Sequence, residues 1–164
     1  MNGVLIAWLA ASLLDQPARE INLVPGIEVV RSDIGELAVG RSNWGTPLRI
    51  GEHSFERGLG THCVSEILVR LPSAGVSFDA SVGLDSDPTI LGRGGSVVFG
   101  VEIAGNCIWR SSPCVRGENP IPVHVDLQGT REFTLKVLEV ERGYNHADWA
   151  EPVVMLADGK RVDV

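Results

Sequence analysis

The chain has 164 residues, 44% of them hydrophobic and 21% charged, with a net charge of −7 at pH 7. That length suits one domain with a sizeable core and is short for two. An acidic balance without any Lys/Arg cluster argues against nucleic acid or an anionic membrane as partner, because phosphate contacts select basic surfaces.

Val4 to Leu14 is a predominantly apolar stretch, too short to cross a bilayer as a helix. It reads as the hydrophobic region of a signal peptide with Ala18 at the cleavage site, or as an N-terminal segment packed on the domain. No Lys or Arg precedes it, and Gln16 is a poor match two places before Ala18. The export reading makes the protein extracytoplasmic or secreted, with a cytoplasmic location left open. Residues 1–20 form the leader or N-terminal segment, and residues 21–164 a single domain.

From there the chain reads as strands. Ile67, Val69 and Leu71 open the series. Val76, Phe78, Ala80, Val82 and Leu84 then alternate with Ser77, Asp79, Ser81, Gly83 and Asp85. The same period recurs at Val97-Phe99-Val101-Ile103, Ile121-Val123-Val125-Leu127 and Phe133-Leu135-Val137. Turn residues separate them at Pro72–Gly75, Ala104–Asn106 and Gln128–Arg131, and Leu156–Val164 ends the chain as a hairpin or a tail. No helical period follows Glu20. Strands apolar on one face and polar on the other predict an all-β fold, a jelly-roll β-sandwich of two packed sheets.

Cys107 and Cys114 flank a segment short enough to fold back. A bridge between them would contribute about 2–3 kcal/mol. Cys63 then stays unpaired, as a small buried hydrophobe.

Three segments carry unusual residues. Arg57-Gly58-Leu59-Gly60-Thr61-His62 holds two glycines but neither the Gly-Lys-Ser/Thr nor the helix of a phosphate loop. Gly83-Leu84-Asp85-Ser86-Asp87-Pro88 ends a strand in two acids. They match the first ligands of a calcium loop or, more simply, a capped turn. Tyr144-Asn145-His146-Ala147-Asp148-Trp149-Ala150-Glu151-Pro152 contains the only tyrosine, one of four histidines and one of four tryptophans. Extended backbone there sends His146 and Asp148 to one side and Ala147 and Trp149 to the other. Outside the leader only Trp44, Trp109, Trp149 and Tyr144 join an aromatic face to a polar tip, and Trp44 lies in a loop by composition.

These residues carry a resemblance. Gly51…Phe55-Glu56-Arg57-Gly58-Leu59-Gly60-Thr61-His62-Cys63-Val64-Ser65, then Phe78…Val82-Gly83-Leu84-Asp85, resemble the first two motifs of the NPCBM family of carbohydrate-binding modules. Gly95-Ser96-Val97-Val98-Phe99 and His146-Ala147-Asp148-Trp149-Ala150 match two more, in order, from about Ile21 to Leu156. The resemblance implies a β-sandwich of galactose-binding-like topology. It also implies a non-catalytic module attached to secreted glycan-active enzymes, with galactose-containing glycans as ligands and a calcium ion in some members. The chain departs from the pattern at Cys63 and Asn145, where Ala and Asp are usual, and at Ala104-Gly105-Asn106, where Asp-Gly-Lys is usual.

The expected site therefore stacks a galactose-type ring on Trp44 or Trp149. Arg57, His62, Asn145, His146 and Asp148 supply hydrogen bonds. A structural calcium would sit at Asp85 and Asp87, and no cofactor is required. Two rivals stand beside this reading. One is a structural or protein-binding sandwich without a sugar site. The other is a hydrolase using His62, Asp85, His146 and Asp148, which would have to converge on a metal or a pocket. The exposure of Trp44 and Trp149 discriminates the sugar-binding reading from the first rival, and an open cavity surrounded by His62, Asp85 and Asp148 would favour the second.

Overall fold

A computed structural model describes residues 24–88 and 94–164. The leader reading of residues 1–20 lies outside the described residues. Fourteen strands appear among those described: β1 (Gly26–Ser32), β2 (Ala38–Val39), β3 (Leu48–Ile50), β4 (His53–Phe55), β5 (Gly58–His62), β6 (Ser65–Arg70) and β7 (Gly75–Leu84). The second half gives β8 (Ser96–Ile103), β9 (Asn106–Arg110), β10 (Cys114–Val115), β11 (Ile121–Asp126), β12 (Glu132–Glu141), β13 (His146–Leu156) and β14 (Arg161–Asp163). One sheet runs β1-β6-β12-β8-β10 with β9 also on β8. The other runs β11-β7-β13-β5-β2 with β14 on β13, and β3-β4 forms a separate hairpin. Every pairing between these strands is antiparallel. The fold is the all-β sandwich that the alternation predicts.

The period-2 pattern fixes which side chains enter. Phe78, Val82 and Leu84 of β7, Phe99 and Val101 of β8, and Phe133, Leu135 and Val137 of β12 are all buried in one core. Phe78 lies 5.1 Å from Phe133 and 6.1 Å from Trp149, and Phe99 meets Trp149 edge-on at 5.2 Å between centroids. Such tilted aromatic pairs add to the area term that dominates burial. On the outer side of the first sheet, Lys136 Nζ donates to Glu102 at 2.9 Å and lies 3.6 Å from Glu66, spanning three strands.

Ala104 (φ 49°) and Gly105 (φ 78°) both take left-handed backbone and join β8 to β9 in a tight hairpin. The C-terminal stretch is a hairpin rather than a tail, with β14 paired to Val153–Met155.

The Cys107–Cys114 bridge that the spacing leaves open is absent; all three cysteines are free. Both residues lie along one edge of β8, Cys107 opposite Glu102 and Cys114 opposite Val97. Five residues of strand separate those positions by about 16 Å, whereas a disulfide needs Cα atoms within about 7 Å. Cys63 is the small buried residue expected, and burial raises its thiol pKa to about 11.

Two features of the second sheet prepare the site. β13 is its centre, with His146–Ala150 paired to β5 on one side and Ala147–Ala150 to β7 on the other. Its outer face is covered by the loop around Arg41–Thr46 and by the β3–β4 hairpin. Gly60 and Gly83 make that cover fit: a Cβ on Gly60 would collide with the Arg41–Asn43 backbone, and one on Gly83 with Ile50.

Candidate functional site

Alternation along β13 separates two sets of residues. Ala147 and Trp149 point into the core, and His146 and Asp148 point to the outer face. His146 is register partner to His62 on β5, and Asp85 N–H donates to the His146 carbonyl at 2.9 Å from the opposite side. The two imidazoles meet edge-on at 5.0 Å between centroids. Trp44 contacts His146 edge-on at 5.5 Å, and Tyr144 lies near-parallel to it at 6.3 Å. His62 and His146 are nearly buried at 7% and 5% exposure, whereas Trp44 and Tyr144 are 58% and 51% exposed. The result is a polar floor of two histidines flanked by two open aromatic faces.

Trp44 is held outward by a tight loop. Ser42 N–H donates to the Thr46 carbonyl, Gly45 N–H donates to the Ser42 carbonyl (both 2.9 Å), and the Ser42 and Thr46 hydroxyls bond at 2.8 Å. Gly45 at φ 88° completes the turn.

The floor is uncharged at His146. Burial first, then His62 and Arg116, push its pKa down to about 4. His62 Nδ1 lies 2.8 Å from the Cys63 carbonyl, an acceptor only, so Nδ1 carries the proton and donates. Its Nε2 is then a lone-pair acceptor. His146 Nδ1 is buried without a partner.

Beneath the Trp44 loop is a carboxyl pair. Asp148, fully buried, sits between Gly60 and Gly83 in the sheet, and neither oxygen completes a hydrogen bond of good geometry. Burial, then Asp85, raises its pKa well above the carboxylate range, opposed only by the Arg49 amide. Asp85 is raised by burial too, against the Asp87 N–H and the Ser42 hydroxyl. A group raised in the folded state stabilises the fold below its ordinary pKa, and that contribution is lost as pH rises through the folded value. Stability should therefore decline as pH rises above the ordinary carboxylate pKa. Asp148→Asn, which keeps the shape without the charge, is expected to flatten that decline in a series of thermal melts; an unchanged slope would refute the assignment.

The structure gathers some of the expected residues and disperses others. His62, His146 and Trp44 come together. Trp149 is fully buried against Phe78 and Phe99 and cannot stack a ligand, a consequence of the strand alternation. Asp148 and Asn145, both at 0% exposure, cannot reach ligand hydroxyls either. Asn145 Nδ2 instead donates to the Glu141 carbonyl at 2.9 Å and to Glu139 at 3.3 Å, tying a loop together. Arg57 precedes β5 at the end opposite His62, about 16 Å along the strand, and pairs with Asp163 at 2.7 Å. Asp85 Oδ1 accepts the Asp87 N–H at 2.9 Å, the turn-capping geometry. Calcium takes 6–8 oxygens, and the described residues hold no group of three or more His, Cys, Asp or Glu placed for a metal. Asp85 and Asp87 in this arrangement do not fit one.

Tyr144 belongs to the site although only its rarity marks it in the sequence. Two open depressions adjoin the platform. One of about 510 Å³ runs along Gly35–Ala38 and Asn43–Trp44, and one of about 460 Å³ is lined by Ile34, His62, Glu139, Arg142, Gly143 and Tyr144. A separate groove of about 350 Å³ between β1 and β14 is walled mainly by Ile27, Val69, Leu71, Val162 and Val164. It lies apart from the histidine floor and lacks its convergent polar groups.

An antiparallel sandwich that exposes an aromatic–histidine platform on one sheet is a galactose-binding-like domain of the carbohydrate-binding-module class. The chain belongs to the NPCBM/NEW2 domain family, whose profile matches residues 25–155. It is 31% identical over 108 residues, 65% of its length, to a Renibacterium salmoninarum protein provisionally named endo-alpha-N-acetylgalactosaminidase. It is 28% identical over 128 residues, 75% of its length, to alpha-1,3-galactosidase B of Akkermansia muciniphila. The chain spans only 7% and 16% of those relatives. Among solved structures it is similar to CBM51-2 with the INT domains of Clostridium perfringens ZmpB in complex with GlcNAc. There the TM-score is 0.66 at 26% identity, covering 76% of this chain and 28% of that one. CBM51 of Clostridium perfringens GH95, in complex with methyl-galactose, shares the fold. Its TM-score is 0.66 at 22% identity, over 80% of this chain and 94% of that one.

Proposed function

We propose that this domain binds a galactose-containing glycan without catalysis and anchors a secreted glycan-active enzyme to its substrate. The juxtaposition of exposed Trp44 with the buried His62–His146 pair carries the reading. An apolar sugar face stacks on the indole, and hydroxyls meet the His62 Nε2 acceptor at the edge of the floor. Because His146 is uncharged above about pH 4, its part of the floor stays neutral across the neutral and mildly acidic range. Such open, wet sites bind weakly, roughly micromolar to millimolar.

The family membership supports the ligand class, and relatives named as an N-acetylgalactosaminidase and a galactosidase support association with glycan-active enzymes and an extracytoplasmic setting. The hydrolase alternative is disfavoured by Asp148, sealed under the Trp44 loop where no substrate reaches it. The reading requires no calcium, and a structural ion elsewhere in the fold is what chelation would reveal.

A glycan array read with and without EDTA tests this. Binding to galactosides in both conditions is expected. Silence towards every galactoside in both would refute it and favour a protein-interaction sandwich.

A further inference from the structure

We propose that the depression beside Tyr144 is a second sugar subsite, selective for an acetamido-bearing ring linked to the galactose-type ring on Trp44. The inference rests on the glycan-binding reading and adds the identity of the neighbouring sugar.

Four observations carry it. The depression, about 460 Å³, shares His62 with the platform, and Tyr144, which also lines it, lies near-parallel to His146 at 6.3 Å. The shared His62 joins this space to the histidine floor, and the proposal places there the ring next to the one stacked on Trp44. The lining is chemically mixed in a way that matches an acetamido group. Ile34 is an exposed apolar side chain for the methyl, and Arg142 offers N–H donors to the carbonyl. Glu139 Oε2 is an acceptor for the amide N–H. Among the described residues Arg142 makes no hydrogen bond or ion pair, so its donors are available.

The segment presenting Arg142 and Tyr144 is also fixed in place. A side chain on Gly143 would collide with the backbone of Gly94 and Gly95, and one on Gly95 would collide with the Glu141 carbonyl and the Asn145 side chain. Asn145 in turn donates to the Glu141 carbonyl and to Glu139, and the Cys63 thiol donates to Glu139 at 3.4 Å. The buried Asn145 thus orients the Glu139 carboxylate and closes the loop. A preorganised lining of this kind costs little ordering on binding.

A neutral hexose without the acetamido group would leave Ile34 uncovered and the Arg142 donors to water. One methyl contact and one hydrogen bond discriminate by about tenfold.

The test is calorimetry with two matched pairs of disaccharides: lactose against N-acetyllactosamine, and galactosyl-galactose against galactosyl-N-acetylgalactosamine. Free galactose serves as the reference ligand. In at least one pair the acetamido member should bind about tenfold more tightly. That ratio should fall to about one in both Arg142→Ala and Ile34→Ser. Thermal midpoints of both variants should match the parent, since both side chains are exposed. Equal affinities within both pairs, or a preference that survives both variants, overturns the subsite while galactose binding stands. Loss of all galactose binding overturns the platform reading and the subsite with it.

Discussion

Replacing Trp44 with alanine should lower galactoside affinity at least tenfold, about 1.4 kcal/mol, with no change in thermal midpoint. The indole is more than half exposed and meets the His146 ring at 5.5 Å between centroids, so little packing is lost when it goes. What is lost is the flat apolar surface over which a sugar ring excludes water. Trp44→Phe retains a smaller face and should recover part of the affinity. Calorimetry against a galactoside, beside a melt of each variant, checks both halves. Unaltered affinity in the alanine variant would place the sugar elsewhere.

Trp149 should give the opposite result. It is fully buried between Phe78 and Phe99 at the junction of the two sheets. Trp149→Ala would leave a large void and cost about 3–5 kcal/mol, a fall in melting temperature on the order of 10 °C. Trp149→Phe should be milder than its loss of volume suggests. The indole Nε1 is buried without an acceptor, and phenylalanine removes that unsatisfied donor. A Trp149→Phe variant that is folded yet no longer binds galactosides would contradict the assignment of Trp149 to the core. Chemical denaturation beside the same binding titration distinguishes these outcomes.

The contrast between the tryptophans shows what was legible before the fold was known. Strand periods in Phe78–Leu84, Val97–Ile103 and Phe133–Val137 identify the strands and the residues that fill the core, because a side chain's face follows from its parity along the chain. The same parity splits His146 and Asp148 from Ala147 and Trp149. It cannot say that the outer face is roofed over Asp148 and open beside His146. That depends on the Arg41–Thr46 loop and the β3–β4 hairpin crossing Gly60 and Gly83, a contact between segments distant in sequence.

Whether Cys107 and Cys114 are bridged could not be read from the sequence for a related reason. Cys107 and Cys114 are close along the chain, but each pairs with a different stretch of β8, and the pairing register sets their separation. Arg57 and His62 are likewise neighbours in one motif that the extended backbone of β5 carries to opposite ends of a strand.

By itself, then, the sequence determined an all-β sandwich, its core face and the family motifs, since these rest on local alternation and on ordered residue patterns. Only the tertiary structure decided which of those motif residues meet solvent. It brought Trp44 and Tyr144 against His146 of the His62–His146 pair and sealed Asp148 and Trp149 away from solvent. Local propensity orients a side chain to a face of its sheet. Whether that face is covered depends on loops whose path is set by packing against strands far away in the chain.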